Sequence, residues 1–498
     1  MLEKLPLGRP EIVVENGKQT TVAHSLKLKS AHIDDRLLPL LPTAMDAEQM
    51  RQLLAEHFRE HLPNFEFKLS ECHIRQVYYH PEKQCGVNYR LVFDNGNGTV
   101  FHEWLYGLMI PQGSATGRFE RAAKRVKTSR VVQPFLQDFP PVSQLDDLQM
   151  ILWLFPHDPK MKRMPDAVDP DFMKSQINEH AALLLDLPEA EARNWHCDEF
   201  SFDRIKHMPG KRCVLRYRCL FESESGEKRP LTFFHKMYSD SHSRLYFQLL
   251  DAAYEQLTHR SGAVEIPRPL RYLEGYNTFW QVDWGGTSLV DIFRNYDRKA
   301  LFPKLAGILA NFHKQEIPEL PEGPSIEKML NIATEDATVL THYLPEYNNL
   351  TATILYYLNN SGVKWTGADI PKTPTHGACR LEQMLIRDTG EIALVDFDAF
   401  ANADPLSDVA EFMISLQMLG FSSNIPHDEL RDAANIFFDS YAAQVPWECP
   451  KNRLAWYALT FLITKILSPV KHYDVTAIRE MRKEVVDVAR RWLGHLKM

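Results

Sequence analysis

The stretch THGACRLEQMLIRDTGEIALVDFDAFANADPLSDVAEF, residues 375–412, decides how this chain is read. It opens on His376-Gly377-Ala378, and four residues separate Ala378 from Gln383. An apolar β-type run then delivers Asp396, followed by Phe397 and Asp398, and the stretch closes on Asp404-Pro405-Leu406-Ser407-Asp408-Val409-Ala410. A polar loop, a short apolar strand ending in a carboxylate, and a helix start with two further aspartates form one connected unit.

Strand-borne carboxylates facing a cleft hold Mg²⁺ well, because that ion needs only one or two carboxylates beside phosphate oxygens. Phosphoryl transfer asks little else of a protein: a lysine on the phosphates, two metal ligands of different origin and an acid near the acceptor hydroxyl. The spacing matches the kinase pattern H-R-D-x-x-x-x-N followed by D-F-G. Two of the four key identities differ, since Ala378 stands at the acid and Gln383 at the asparagine.

The stretch resembles the aminoglycoside phosphotransferase and choline kinase-like family, whose signature runs H-G-D-x-x-x-x-N, then I-D-[WF]-[DE], then D-P-x-x-D-[LV]-A. The last element matches fully and the middle one closely. The resemblance implies an α+β, bilobal protein-kinase-like fold over residues 195–498, with ATP and Mg²⁺ as cofactors and a small-molecule hydroxyl as acceptor. By position it makes Asp396 the Mg²⁺-binding aspartate and Gln383 the second metal ligand, its amide carbonyl one methylene further out. Asp404 and Asp408 become braces of the loop, and Lys236, in FFHKMYSD, becomes the strand lysine on the α- and β-phosphates.

Ala378 takes the place of the aspartate that accepts the hydroxyl proton, a contribution of roughly 10²- to 10⁴-fold in rate. Positioning and metal electrostatics supply much of the remainder, so the substitution weakens transfer without excluding it. His376 and Arg380 complete the loop set, with Arg380 placed to clamp a phosphate. Asp398 is a poor substitute unless the chain turns there, because on a continuing strand it lies outside the loop, where Glu382 is the remaining acid. The loop KHMPGKRC would cover the phosphates, with Lys211 and Arg212 either assisting or standing as solvated turn residues, and Glu255, with Asp251 as competitor, is the helix acid expected to pair with Lys236. The alternative is a pseudokinase, a module that binds nucleotide or a partner without transfer.

An internal repeat extends the picture. PEKQCGVNYRLVF (81–93) and PGKRCVLRYRCLF (209–221) share Pro, Lys, Cys, Tyr, Arg and Phe in register, at six of thirteen positions. Each leads through a polar turn into a second β-type run. The second copy carries Lys236, whereas the first has Gly107 and Leu108 around the matching place. The expected organisation is an N-terminal extension (1–64), a degenerate N-lobe-like cap domain (65–190), a kinase-like N-lobe (195–285) and a helical C-lobe (286–498). The cap is expected to bind no nucleotide and to shape an acceptor or protein-partner surface.

Composition bounds the rest. The chain of 498 residues has a formal net charge of -8, with 57 basic against 65 acidic side chains, a balance that disfavours a polyanionic nucleic-acid partner. Seven cysteines without a Cys-x-x-Cys pair read as a reduced, cytoplasmic protein without a disulfide framework or a cysteine zinc site. No apolar run approaches the ~20 residues of a membrane-spanning helix, so no membrane insertion is expected.

Overall fold

The computed structural model describes residues 12–15, 18–21, 35–64, 66–126, 132–365, 370–421, 425–481 and 484–496. Much of the expected N-terminal extension lies outside these residues. The chain divides into two compact units, 1–158 with 471–473, and 159–470 with 474–498.

The first unit begins with the antiparallel strands β1 (Ile12–Glu15) and β2 (Lys18–Thr21). A helix follows at Ala47–His61, started by Asp46, whose carboxylate accepts the N–H groups of Glu48 and Gln49 and so satisfies two donors the helix leaves open. Its buried face, Met50, Leu54, His57 and Phe58, recurs at helical spacing. An antiparallel sheet is built from β3 (Lys68–His80), β4 (Gln84–Asp94), β5 (Val100–Met109), β6 (Val142–Leu145) and β7 (Met150–Leu154), in the order β3-β4-β5-β7-β6. The helix Ala115–Ala123 lies between β5 and β6.

The second unit repeats that plan. Its sheet comprises β8 (Trp195–Met208), β9 (Arg212–Ser223), β10 (Lys228–Tyr238), β11 (Pro269–Leu273) and β12 (Thr278–Val282), in the order β8-β9-β10-β12-β11, with the helix Ser243–Ala253 between β10 and β11. Pairing registers agree at a constant step of 128 positions: Cys85 faces Met109, and Cys213 (85 to 213) faces Met237 (109 to 237). Cys85, Tyr89 and Phe93 alternate inward and are buried, as are Cys213, Tyr217 and Phe221. Each buried tyrosine hydroxyl donates to a backbone carbonyl, Tyr89 to Ala44 and Tyr217 to Ala167. The turns also agree, since Glu82 and Gly210 occupy the same step and both have left-handed φ, +54° and +70°. At that step Lys236 corresponds to Leu108, so the first sheet carries an isobutyl group where the second carries an ammonium.

Helices dominate after residue 288, the longest being Arg298–His313, Ile326–Tyr343, Asn348–Trp365, Leu406–Met418, His427–Ala442 and Lys451–Lys471. Arg298–His313 buries Leu301, Phe302, Leu305, Leu309 and Phe312, which recur at helical spacing. Short strands frame the motif: β13 (Thr287–Ser288), β15 (Met384–Ile386) and β16 (Ile392–Leu394) form one sheet, and β14 (Thr373–Thr375) pairs with β17 (Ala401–Ala403). All seven cysteines are free thiols. Among the described residues no helix is long and apolar enough to cross a membrane.

Candidate active site

The loop after β14 is pinned from below. Asp408, in the first turn of Leu406–Met418, accepts the backbone N–H of His376 at 2.6 Å and of Gly377 at 2.9 Å. It also meets Nε2 of the buried His313 at 3.1 Å, while His313 Nδ1 lies 2.7 Å from the Tyr441 hydroxyl. Burial opposes ionisation of Asp408, but His313 and these donors overcome it and hold the carboxyl below its ordinary range. Asp404 accepts the Leu406 N–H at 3.0 Å and pairs with Arg453 at 2.9 Å.

His376 is fully buried, and its Nε2–H donates to the Val395 carbonyl at 2.9 Å, tying the loop to the strand that delivers Asp396. Expected among the reacting groups, His376 therefore serves as a pin. Gly377 has φ +73°, and a Cβ there would lie 2.3 Å from the Ala399 carbonyl oxygen. Gly377→Ala is expected to destabilise the protein by about 2–4 kcal/mol, from left-handed strain plus overpacking, measured by denaturant unfolding.

Asp396 itself has a left-handed φ of +72°, tolerated by aspartate more readily than by most residues. Such a residue at the end of β16 turns the chain, and this changes the fate of Asp398. Expected outside the loop, Asp398 is brought back beside Asp396 by the turn. Arg212 spans both: one guanidinium nitrogen donates to Asp396 Oδ1 at 3.0 Å and to Asp398 Oδ2 at 2.7 Å, and the other to Asp396 Oδ2 at 3.2 Å. The Tyr238 hydroxyl donates to Asp398 at 3.0 Å, and Gln383 Nε2 stands 3.4 Å from Asp396 Oδ2.

Charge is divided unequally between the two acids. Burial would raise Asp396, but Arg212 and Lys236, with Lys206 behind them, hold it well below the carboxylate range. Burial and the neighbouring Asp396 charge push Asp398 up. Lys236 faces Val214 and Phe279 across the sheet, with its ammonium 5.7 Å from the Phe279 ring centre. The site is thus a pair of carboxylates bridged by Arg212 and under the positive charge of Lys236, with Lys206 adding to it at Asp396.

Other expected residues fall differently. Glu255 belongs to a π-helical segment, Tyr254–Arg260, that follows Ser243–Ala253, and it pairs with His259 at 3.1 Å instead of Lys236. The wider turn resets the helical phase on which that expectation rested. Lys211 is exposed at the β8–β9 turn, while Arg212, next to it, points at the carboxylates. Lys206, given no role in the sequence reading, also approaches the carboxylates; burial, reinforced by Arg212, pushes its ammonium down. A bulge between Arg204 and Lys206 breaks the two-residue alternation of β8 there. Its presence in KHMPGKRC was the available signal.

Beyond Ala378, which is half-buried, Arg380 reaches toward Glu411 at 3.9 Å, and Lys465 approaches the same Glu411 oxygen at 3.7 Å. Glu411 lies three residues after Asp408 on one helix, hence on the same face. Burial pushes its carboxyl up to about 7 against the pull of Lys465 and Arg380. A carboxyl raised on folding binds its proton more tightly in the native state, so stability falls as pH rises from 4.5 towards 7. Glu411→Gln is therefore expected to stabilise the protein by about 1–3 kcal/mol at about pH 8 and by nothing near pH 4.5, read from unfolding at both.

Residues 219–443 match the family model described as the phosphotransferase enzyme family. The match includes Lys236, the 375–412 stretch and Glu411, and it agrees with the resemblance those motifs carry. Among solved structures the chain is similar to the choline kinase LicA from Streptococcus pneumoniae, at 14% identity over 65% of this chain and 99% of that one, with a TM-score of 0.38. It is also similar to the aminoglycoside phosphotransferase APH(3'')-Id from Streptomyces rimosus, at 15% identity over 53% and 92%, with a TM-score of 0.36. A choline/ethanolamine kinase family protein from Mesorhizobium loti is similar at 12% identity over 65% and 98%, with a TM-score of 0.39. No curated protein sequence matches the chain.

Proposed function

We propose that this protein is an ATP-dependent phosphotransferase acting on a small-molecule hydroxyl, with Mg-ATP held between the β8–β12 sheet and the 375–412 stretch. The observation that carries the proposal is the pairing of Asp396 and Asp398 across the Arg212 guanidinium, with Gln383 alongside and the charges of Lys236 and Lys206 holding Asp396 ionised. Two carboxylates and an amide suit Mg²⁺, which would neutralise charge on the phosphates when bound. The cations suit a polyphosphate, which Arg212, beside the carboxylates that would hold the metal, would contact.

The loop has no acid of its own at Ala378. Asp408 is committed to the loop backbone and Asp398 to Arg212 and Tyr238, whereas Glu411 stays close to its proton at neutral pH. That arrangement favours slow transfer, and Ala378 also supports the second reading, a regulatory module that binds nucleotide without transfer. A cytoplasmic setting, where ATP is available and thiols stay reduced, accompanies both readings and is consistent with seven free cysteines. Leu108 in place of the lysine supports a non-nucleotide role for the first sheet, such as shaping an acceptor or protein-partner surface.

A thermal-shift titration with ATP, with and without Mg²⁺, tests the proposal. ATP at 100 times its Kd stabilises a native protein by about 2.7 kcal/mol, so a rise in Tm that grows with Mg²⁺ is expected. No shift under either condition would sink the phosphotransferase reading and the nucleotide-binding form of its alternative.

A further inference from the structure

We infer that the C-terminal turn of the helix Ala47–His61 is a binding site for one divalent cation of the zinc class, held by His57, Glu60 and His61. The local sequence His57-Phe58-Arg59-Glu60-His61 sets the three at positions i, i+3 and i+4, which share one helical face. One ligand atom from each lies within 4.8 Å of the other two. Tetrahedral zinc with bonds of ~2.0–2.1 Å spaces its ligands by ~3.4 Å. Glu60 is exposed and free to rotate toward the two imidazoles, and His61 is exposed beside it.

The surroundings match what metal-bound imidazoles need. His61 Nδ1–H donates to the His57 carbonyl at 2.9 Å, which fixes the tautomer and leaves Nε2 with its lone pair outward. His57 Nε2 is held 2.9 Å from the buried Ser143 hydroxyl on β6, so its ring is oriented from outside the ligand set. The Phe139 ring stands 5.9 Å from His57 and 5.5 Å from His61, an apolar wall that limits water.

The helix adds its own contribution, because its last carbonyls present partial negative charge that favours a cation. Two imidazoles and one carboxylate form a nitrogen-rich set that prefers zinc over Mg²⁺ and leaves a fourth position for water. Bound there, the ion would fasten the helix end through His57 and Ser143 to the edge strand of the first sheet.

Equilibrium dialysis of chelator-stripped, full-length protein against Zn²⁺ tests this, with Co²⁺ as a spectroscopic substitute. One tightly bound Zn²⁺ per chain is expected in the wild type. It should be lost in His61→Ala and bound at least ~10-fold more weakly in Glu60→Gln, with a Co²⁺ visible band that follows the same order. Both variants alter exposed side chains, so folding is retained, which circular dichroism checks. No Zn²⁺ bound by the wild type, or equal binding by wild type and His61→Ala, would overturn the inference.

Discussion

Ala378→Asp is expected to raise nucleotide turnover by roughly 10²- to 10⁴-fold, the contribution a positioned proton acceptor makes. The geometry is ready for it. Asp408 fixes the loop through the N–H groups of His376 and Gly377, and Gly377 makes a close approach to Ala399 that sets the direction of the next residue. A carboxylate at 378 would follow directly on this pinned, half-buried backbone. Steady-state phosphate release at saturating Mg-ATP, across a panel of alcohols and sugars, reads the effect. A rise in turnover identifies a weakened transferase; silence in wild type and variant alike, with Mg-ATP still bound, leaves the regulatory reading standing.

Asp396→Asn is expected to abolish the Mg²⁺-dependent part of ATP stabilisation and to cut any turnover by at least ~10³-fold, because the metal is the main neutraliser of phosphate charge. The same change also loosens the ligand-free protein. Arg212 loses one of its two carboxylate partners, and removing one member of a largely buried pair costs about 1–3 kcal/mol here, discounted for side chains that remain 19% and 23% exposed. Asp396 is held below its unfolded range, so the wild-type pair contributes stability above that range and loses it as pH falls through the lowered value. The gap between wild type and Asp396→Asn should accordingly narrow in acid, which equilibrium unfolding at neutral and acidic pH checks.

Both effects rest on a site whose parts were unevenly legible in the sequence. The order of β-rich and helical segments, the strand lysine Lys236 and the aspartates 396, 404 and 408 could be read because each sits at a fixed step from a turn or strand end. The repeat was legible because its shared Cys, Tyr and Phe are inward positions of paired strands, where packing restricts the residue type. What stayed hidden depends on local departures from regular geometry. The left-handed Asp396 returns Asp398 to the site, the bulge in β8 redirects Lys206, and the π-helical turn carries Glu255 away from Lys236. Glu411 was hidden for another reason: its raised proton affinity comes from burial, which outweighs the pull of Lys465 and Arg380, and that burial is set by packing between segments distant in sequence.

Mn²⁺ electron paramagnetic resonance in the presence of a non-hydrolysable ATP analogue tests the central claim most directly, since it reports whether metal and nucleotide occupy one protein site. One protein-bound Mn²⁺–nucleotide complex per chain is expected in the wild type, strongly weakened in Lys236→Met and absent in Asp396→Asn. A free-Mn²⁺–nucleotide spectrum unchanged by the protein, or a bound spectrum indifferent to Asp396→Asn, would contradict that claim.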